Sequence, residues 1–195
     1  MKVLKLRIDD HDDEFYQHEL SCMDDDKKAK ALRFVNPSDK KLCILGDHAA
    51  RCLVSELAGL PAEDVRIGTG DTGAPYVKYP ADTGLYCSIS HSGEYAVACA
   101  DTSPVGVDIE KISSFYPELA DAFCAPDELT YAKSHGNEGL CRIWTVKEAF
   151  FKCGGTGIKD LGDVKSICVF DLPEGYEASA EEIDSQYILT VVSRK

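Results

Sequence analysis

With 195 residues, 44% hydrophobic and 28% charged, the chain is long enough to bury a core of its own as one domain or two small ones, and it holds no apolar run that could span a bilayer. A formal net charge of −13 argues against general nucleic-acid binding, because neutralising backbone phosphates takes a basic surface. Nine cysteines, an odd number without a closely spaced pair, fit neither a disulfide framework nor a zinc motif, and they read as small hydrophobes in a reducing cytosol.

Residues 1–8 alternate polar and apolar side chains, which predicts a strand rather than a secretory leader, so export is not expected. The acidic runs Asp9, Asp10, Asp12, Asp13, Glu14 and Asp24, Asp25, Asp26 read as solvated helix ends or loops. Two short helical patterns follow the strand. A longer one runs from Ser38 to Leu57, with Leu42, Leu45, Ala49, Leu53 and Leu57 at helical spacing; Pro37 and Ser38 start it, and Gly59 with Pro61 stops it. From Val65 the pattern changes to short strands over 65–67, 75–77, 86–90 and 95–99, with His91-Ser92-Gly93-Glu94 as a hairpin turn. Asp101-Thr102-Ser103-Pro104 marks an internal boundary between residues 1–102 and 103–195. Beyond it the spacing predicts a strand from Val105, helices over 118–123, 127–134 and about 138–152, and two last strands over 164–170 and 187–192. The fold class is therefore α+β, two halves that each combine helices with a small antiparallel sheet.

Two segments carry the chemistry. In the strand Gly106-Val107-Asp108-Ile109-Glu110-Lys111, alternation puts Asp108 and Glu110 on one face and Val107 and Ile109 on the other, while Gly106 permits close backbone approach. Two like charges on one face call for a cation between them, and Mg²⁺, with oxygen ligands and a share of substrate phosphate, suits them. In the helix Trp144-Thr145-Val146-Lys147-Glu148-Ala149-Phe150-Phe151-Lys152, Glu148 stands one turn from both Trp144 and Lys152. An exposed ion pair alone would explain Glu148 and Lys152 but leaves Trp144 and Lys147 without a reason. His91, between Ser90 and Ser92, ends a strand among hydroxyls able to hold an anion. No glycine-rich phosphate loop is present, so side chains must hold any phosphate.

Ser88-Ile89-Ser90-His91-Ser92, Gly106 to Lys111 and Trp144 to Lys152 resemble, in order and spacing, the three signatures of the 4′-phosphopantetheinyl transferases, most closely the long surfactin-synthetase-activating type. Lys27, Lys30, Arg33-Phe34 and Leu45-Gly46-Asp47 resemble an upstream block of the same family. The resemblance implies Mg²⁺-dependent transfer of 4′-phosphopantetheine from coenzyme A to a serine of an apo acyl or peptidyl carrier protein, with adenosine 3′,5′-bisphosphate released. It implies Asp108, Glu110 and Glu148 as metal ligands, and Lys152, Ser90 and His91 at the coenzyme A phosphates. His91 falls to the 3′-phosphate, and Lys27 and Lys30 to the nucleotide end. It also implies a pseudo-twofold pair of α+β halves with the substrate between them, which makes a cytoplasmic monomer the expectation. For the serine proton, Glu148 is the nearest candidate, with a metal-bound water or an adjacent side chain as alternatives. Gly73-Ala74-Pro75 departs from the family, which often has lysine before that proline; Lys78 is a candidate substitute. A generic Mg²⁺-dependent phosphotransferase would keep the carboxylates but give no reason for Ser90-His91 or the upstream lysines. A non-catalytic carrier-binding relative would give no reason for the intact cluster of like charge.

Overall fold

The computed structural model describes residues 1–158 and 160–195. Its first half runs β1 (Lys2–Arg7), α1 (Asp13–Cys22), α2 (Asp25–Arg33), α3 (Pro37–Ala58), β2 (Arg66–Thr69), β3 (Pro75–Tyr79), β4 (Tyr86–Ser92) and β5 (Tyr95–Asp101). The second runs β6 (Val105–Lys111), α4 (Ala120–Phe123), α5 (Pro126–Cys153), α6 (Leu161–Ser166), β7 (Tyr176–Ile183) and β8 (Tyr187–Arg194). The acidic runs start helices. Asp12 accepts from the Phe15 N–H and Asp24 from the Asp26 N–H as N-caps, and the neighbouring acids fill first turns, where the helix dipole favours negative charge. Asn36 caps α3, with Pro37 in the first turn where no N–H is needed.

Each half opens on a strand, inserts a long helix and closes with a hairpin. All pairings are antiparallel, in the orders β1-β5-β4 and β6-β8-β7, so in both sheets the last strand is central and the next-to-last lies at an edge. A separate β2-β3 hairpin belongs to the first half. One face of the first sheet packs on α3 through Ala49, Leu53, Val54, Cys87, Ala98 and Ala100. Its other face meets the second sheet in a shared core of Tyr95, Val97, Cys99, Val107, Ile109 and Leu189. The far face of the second sheet packs on α5, through Ile188 with Cys141 and Ile143 and through Val192 with Ala149 and Cys153. The layers therefore run helix, sheet, sheet, helix, and the seam between the halves is a hydrophobic core.

The two helices expected over 127–134 and 138–152 are both there, joined end to end in α5 and parted at Gly136, whose φ of 58° leaves the right-handed helical region. The strand expected over 164–170 is not there. Val164 belongs to α6, its apolar character serving a helix packed under α5, with the side chain fully buried beside Phe123 and Leu140. The real partner of β8 is β7, whose sequence Tyr-Glu-Ala-Ser-Ala-Glu-Glu-Ile is exposed and polar and owes its strand state to the β8 ladder, not to its own pattern. Among the described residues no helix is long and apolar enough to cross a membrane, and all nine cysteines are free thiols.

Candidate active site

Alternation along β6 sends Val105, Val107 and Ile109 into the core between the sheets and turns Gly106, Asp108 and Glu110 toward α5. Gly106 sets the spacing. A Cβ there would overlap the Ala149 carbonyl oxygen and stand 2.5 Å from the Cys153 backbone nitrogen, so only glycine lets α5 lie this close to β6. That approach lays Glu148 and Lys152 over the acidic face of the strand. Lys152 Nζ lies 2.6 Å from Asp108 Oδ1 and 3.4 Å from Glu148 Oε2, and it donates to Ser90 Oγ at 3.2 Å.

The cluster carries more negative charge than its surroundings support. Asp108 is 2% exposed, and its Oδ2 is buried without a hydrogen-bond partner. Burial raises the Asp108 pKa despite Lys152, and burial likewise raises Glu148. Glu110 is pushed up to about 7, by burial first and by the Asp108 charge second. Burial works against a charged Lys152, yet Asp108 and Glu148 outweigh it, so the ammonium is held above its ordinary range. Among the described residues no three His, Cys, Asp or Glu side chains are gathered into a metal cage. Lys152 bridges Asp108 and Glu148 instead. An orphaned buried oxygen and three under-compensated carboxylates nevertheless make a donor set of the kind a hard divalent cation takes.

A cleft of about 330 Å³ brings Lys27, Lys30, Ser90 and His91 of the first half together with Asp108, Glu110, Glu148 and Lys152 of the second. The eight residues that the family resemblance assigns to metal and coenzyme A all line it. A larger cavity of about 590 Å³ adjoins it, sharing Gly73, Pro75, Ile89 and Lys152 and walled by Val77, Leu85, Val105 and Tyr176. Lys27 is fixed by a buried network: its Nζ is 2.9 Å from Asp47 Oδ1, Arg51 Nε donates to Asp47 Oδ2 at 2.8 Å, and Arg51 Nη2 reaches Glu19 Oε2 at 2.5 Å. His91 sits exposed at the cleft rim, and its imidazole is held below its ordinary range by partial desolvation first and by the Lys152 charge second, so unliganded it is neutral at pH 7.

Other expectations change. Trp144 packs edge-on against Phe123 in the core and does not line the cleft. Lys147 is fully buried: it pairs with Glu128 at 2.8 Å and donates to the carbonyls of Phe123, Val164 and Ile167, tying α4 and α6 to α5. Lys78 is bound to Asp24 at 2.6 Å and does not line the cleft, so it does not stand in for the missing lysine at Ala74. Asp47, expected only as part of the upstream block, pairs with Arg51, a helical spacing of four that is visible in the sequence, and Ser92, expected as a hydroxyl for an anion, instead donates to Glu110 Oε2 at 2.8 Å.

Two family profiles match, one after the other. That described as "4'-phosphopantetheinyl transferase, N-terminal" covers residues 10–103, and that described as "4'-phosphopantetheinyl transferase superfamily" covers residues 104–192. A 4'-phosphopantetheinyl transferase of Bacillus subtilis is 27% identical over 186 residues, 88% of this chain and 82% of the relative. The 4'-phosphopantetheinyl transferase Sfp of Bacillus subtilis strain 168 is 30% identical over 143 residues, 71% of this chain and 63% of that protein's length. The L-aminoadipate-semialdehyde dehydrogenase-phosphopantetheinyl transferase of Mus musculus is 28% identical over 209 residues, 87% of this chain and 66% of that protein.

Proposed function

The chain belongs to the 4′-phosphopantetheinyl transferase superfamily, and from that premise we propose that it moves the 4′-phosphopantetheine group of coenzyme A onto a serine hydroxyl of an apo acyl or peptidyl carrier protein. Adenosine 3′,5′-bisphosphate is the other product, and Mg²⁺ is required. The observation that carries this reading is the convergence of three buried or half-buried carboxylates and Lys152 with Lys27, Lys30 and His91 in one cleft at the seam of the halves. We take the protein as a cytoplasmic monomer whose halves, 1–102 and 103–195, supply the two walls.

In this scheme Asp108, Glu110 and Glu148 would hold the Mg²⁺, which would supply positive charge against the coenzyme A pyrophosphate. Lys30, Lys27 and His91 face the nucleotide end, where a 3′-phosphate would be met by two ammonium groups and an imidazole that gains its proton as the anion arrives. Lys152 exchanges its carboxylate partners for a pyrophosphate oxygen, delivering positive charge to the reacting phosphate. The carrier serine oxygen forms a bond to the β-phosphorus, the bond from that phosphorus to the bridging oxygen breaks, and adenosine 3′,5′-bisphosphate leaves with the electron pair. The serine proton would go to the Glu148 oxygen that the ion leaves free: Asp108 is committed to Ser90 and Lys152 and Glu110 to Ser92, whereas Glu148 has only Lys152 at 3.4 Å.

The test is to incubate the protein with coenzyme A, Mg²⁺ and an apo carrier and to weigh the carrier. A gain of one phosphopantetheine, stopped by EDTA, is expected. No gain across acyl and peptidyl carriers would reject the reading.

A further inference from the structure

β4 and β6 are both edge strands, and they meet at the seam without a shared backbone ladder. Pro104 and Ile112 bond to the β8 side at either end of β6, and in an antiparallel pair these contacts alternate, so the N–H groups of Val107, Ile109 and Lys111 point away from β8. Buried and unpaired, they would be costly. Instead each meets a hydroxyl: Val107 N–H donates to Ser88 Oγ at 3.1 Å, Ile109 N–H to Ser90 Oγ at 3.4 Å and Lys111 N–H to Ser92 Oγ at 3.1 Å. Alternation puts these three serines on one face of β4, spaced to match the β6 groups.

Two of the hydroxyls do a second thing. Ser90 Oγ donates to Asp108 Oδ1 at 2.7 Å and Ser92 Oγ to Glu110 Oε2 at 2.8 Å. A serine hydroxyl has one donor and two acceptor sites, and in Ser90 the bonds to Asp108, Ile109 N–H and Lys152 fill all three. In the unliganded protein its side chain is therefore fully engaged, its one proton on Asp108, which gives it a positioning part beside the coenzyme A contact expected from the family resemblance.

We propose that Ser88, Ser90 and Ser92 form a hydroxyl ladder that clamps the edge of β6 onto the first half, and that Ser90 and Ser92 are positioning residues that aim Asp108 and Glu110 into the cleft. Ser88 has only the clamping role, since it touches backbone and no carboxylate. The inference rests on the proposed use of those carboxylates as Mg²⁺ ligands. A carboxylate that loses its hydrogen-bonded orientation binds metal about 10–100-fold more weakly.

The experiment compares wild type with Ser92→Ala, Ser92→Thr and Ser88→Ala, titrating Mg²⁺ into each whole protein by calorimetry and reading the thermal midpoint separately. Ser92→Ala should weaken Mg²⁺ binding by about 10-fold or more and raise the Mg²⁺ concentration needed for half-maximal transfer, leaving KM for coenzyme A in place. Ser92→Thr, which keeps the hydroxyl, should restore both. Ser88→Ala should lower the thermal midpoint without changing Mg²⁺ affinity. Equal Mg²⁺ binding by wild type and Ser92→Ala, or equal weakening by Ser88→Ala, overturns the ladder's positioning role while leaving the active-site reading standing. A wild type that binds no Mg²⁺ overturns both.

Discussion

Gly106→Ala is the substitution that most sharply probes how the site is assembled. Its Cβ would need to retreat by about 0.5 Å from the Cys153 nitrogen to reach the 3.0 Å that real contacts respect, and by more from the Ala149 carbonyl oxygen. Both obstacles are backbone of α5, so relief comes only by moving the helix off the strand, and Glu148 and Lys152 ride on that helix. Catalytic groups must be held within about 0.5 Å, and a displacement near 1 Å costs about 100-fold. The expected outcome is a fall of about 10–100-fold in kcat/KM for transfer, with overpacking lowering stability by about 1–3 kcal/mol. Gly154→Ala is the matched control: it lies just past the end of the same helix at φ −73°, with nothing nearer than 3.6 Å to the added carbon. Carrier mass spectrometry gives the rate and circular dichroism the folded fraction. A Gly106→Ala protein that stays folded and turns over as wild type would refute the claim that close approach of α5 builds the site.

Lys147→Met strands the fully buried Glu128 and removes the donor for three carbonyls, so a loss of about 3–5 kcal/mol is expected, seen as a thermal midpoint lower by roughly 10 °C. A midpoint within a degree or two of wild type contradicts the structural role. Because folding raises the Glu110 pKa from 4.5 to about 7, the folded state binds that proton more tightly. Metal-free protein should therefore lose stability as pH rises through that window, by up to about 1.4 kcal/mol per pH unit, and Glu110→Gln should flatten the loss. Parallel denaturation profiles for the two proteins across pH 4.5–7 would remove Glu110 from that role. Ala74→Lys returns a cation to the cavity wall, so KM should fall for coenzyme A and stay unchanged for 3′-dephospho-coenzyme A; an equal fall for both would mean that the lysine does not meet the 3′-phosphate.

Much of the site could be read from residue order because it is built from periodicity. Alternation alone separates Asp108 and Glu110 from Val107 and Ile109, helical spacing alone pairs Glu148 with Lys152, and Gly106 is conspicuous in a strand. What periodicity cannot supply is contact between distant segments. Lys147 sits in the same signature as Glu148 yet turns the other way, toward Glu128, because its partners arrive from α4, α6 and the start of α5. The strand β7 escaped notice for a related reason: an exposed edge carries no apolar pattern, so only its partner β8 defines it. The serines around His91 were visible as hydroxyls able to hold an anion, but their partners are backbone groups of another strand, which no side-chain pattern announces.

The central proposal is that Asp108, Glu110 and Glu148 share one divalent ion at the seam while Lys152 turns to the substrate. A crystal structure with coenzyme A and Mn²⁺ in place of Mg²⁺ tests it most directly, because the anomalous signal locates the ion independently of the protein atoms. One peak within bonding distance of an oxygen from each carboxylate, with Lys152 Nζ moved from Asp108 to a pyrophosphate oxygen, is the predicted result. An ion held by phosphate alone, with Lys152 still on Asp108, would contradict it.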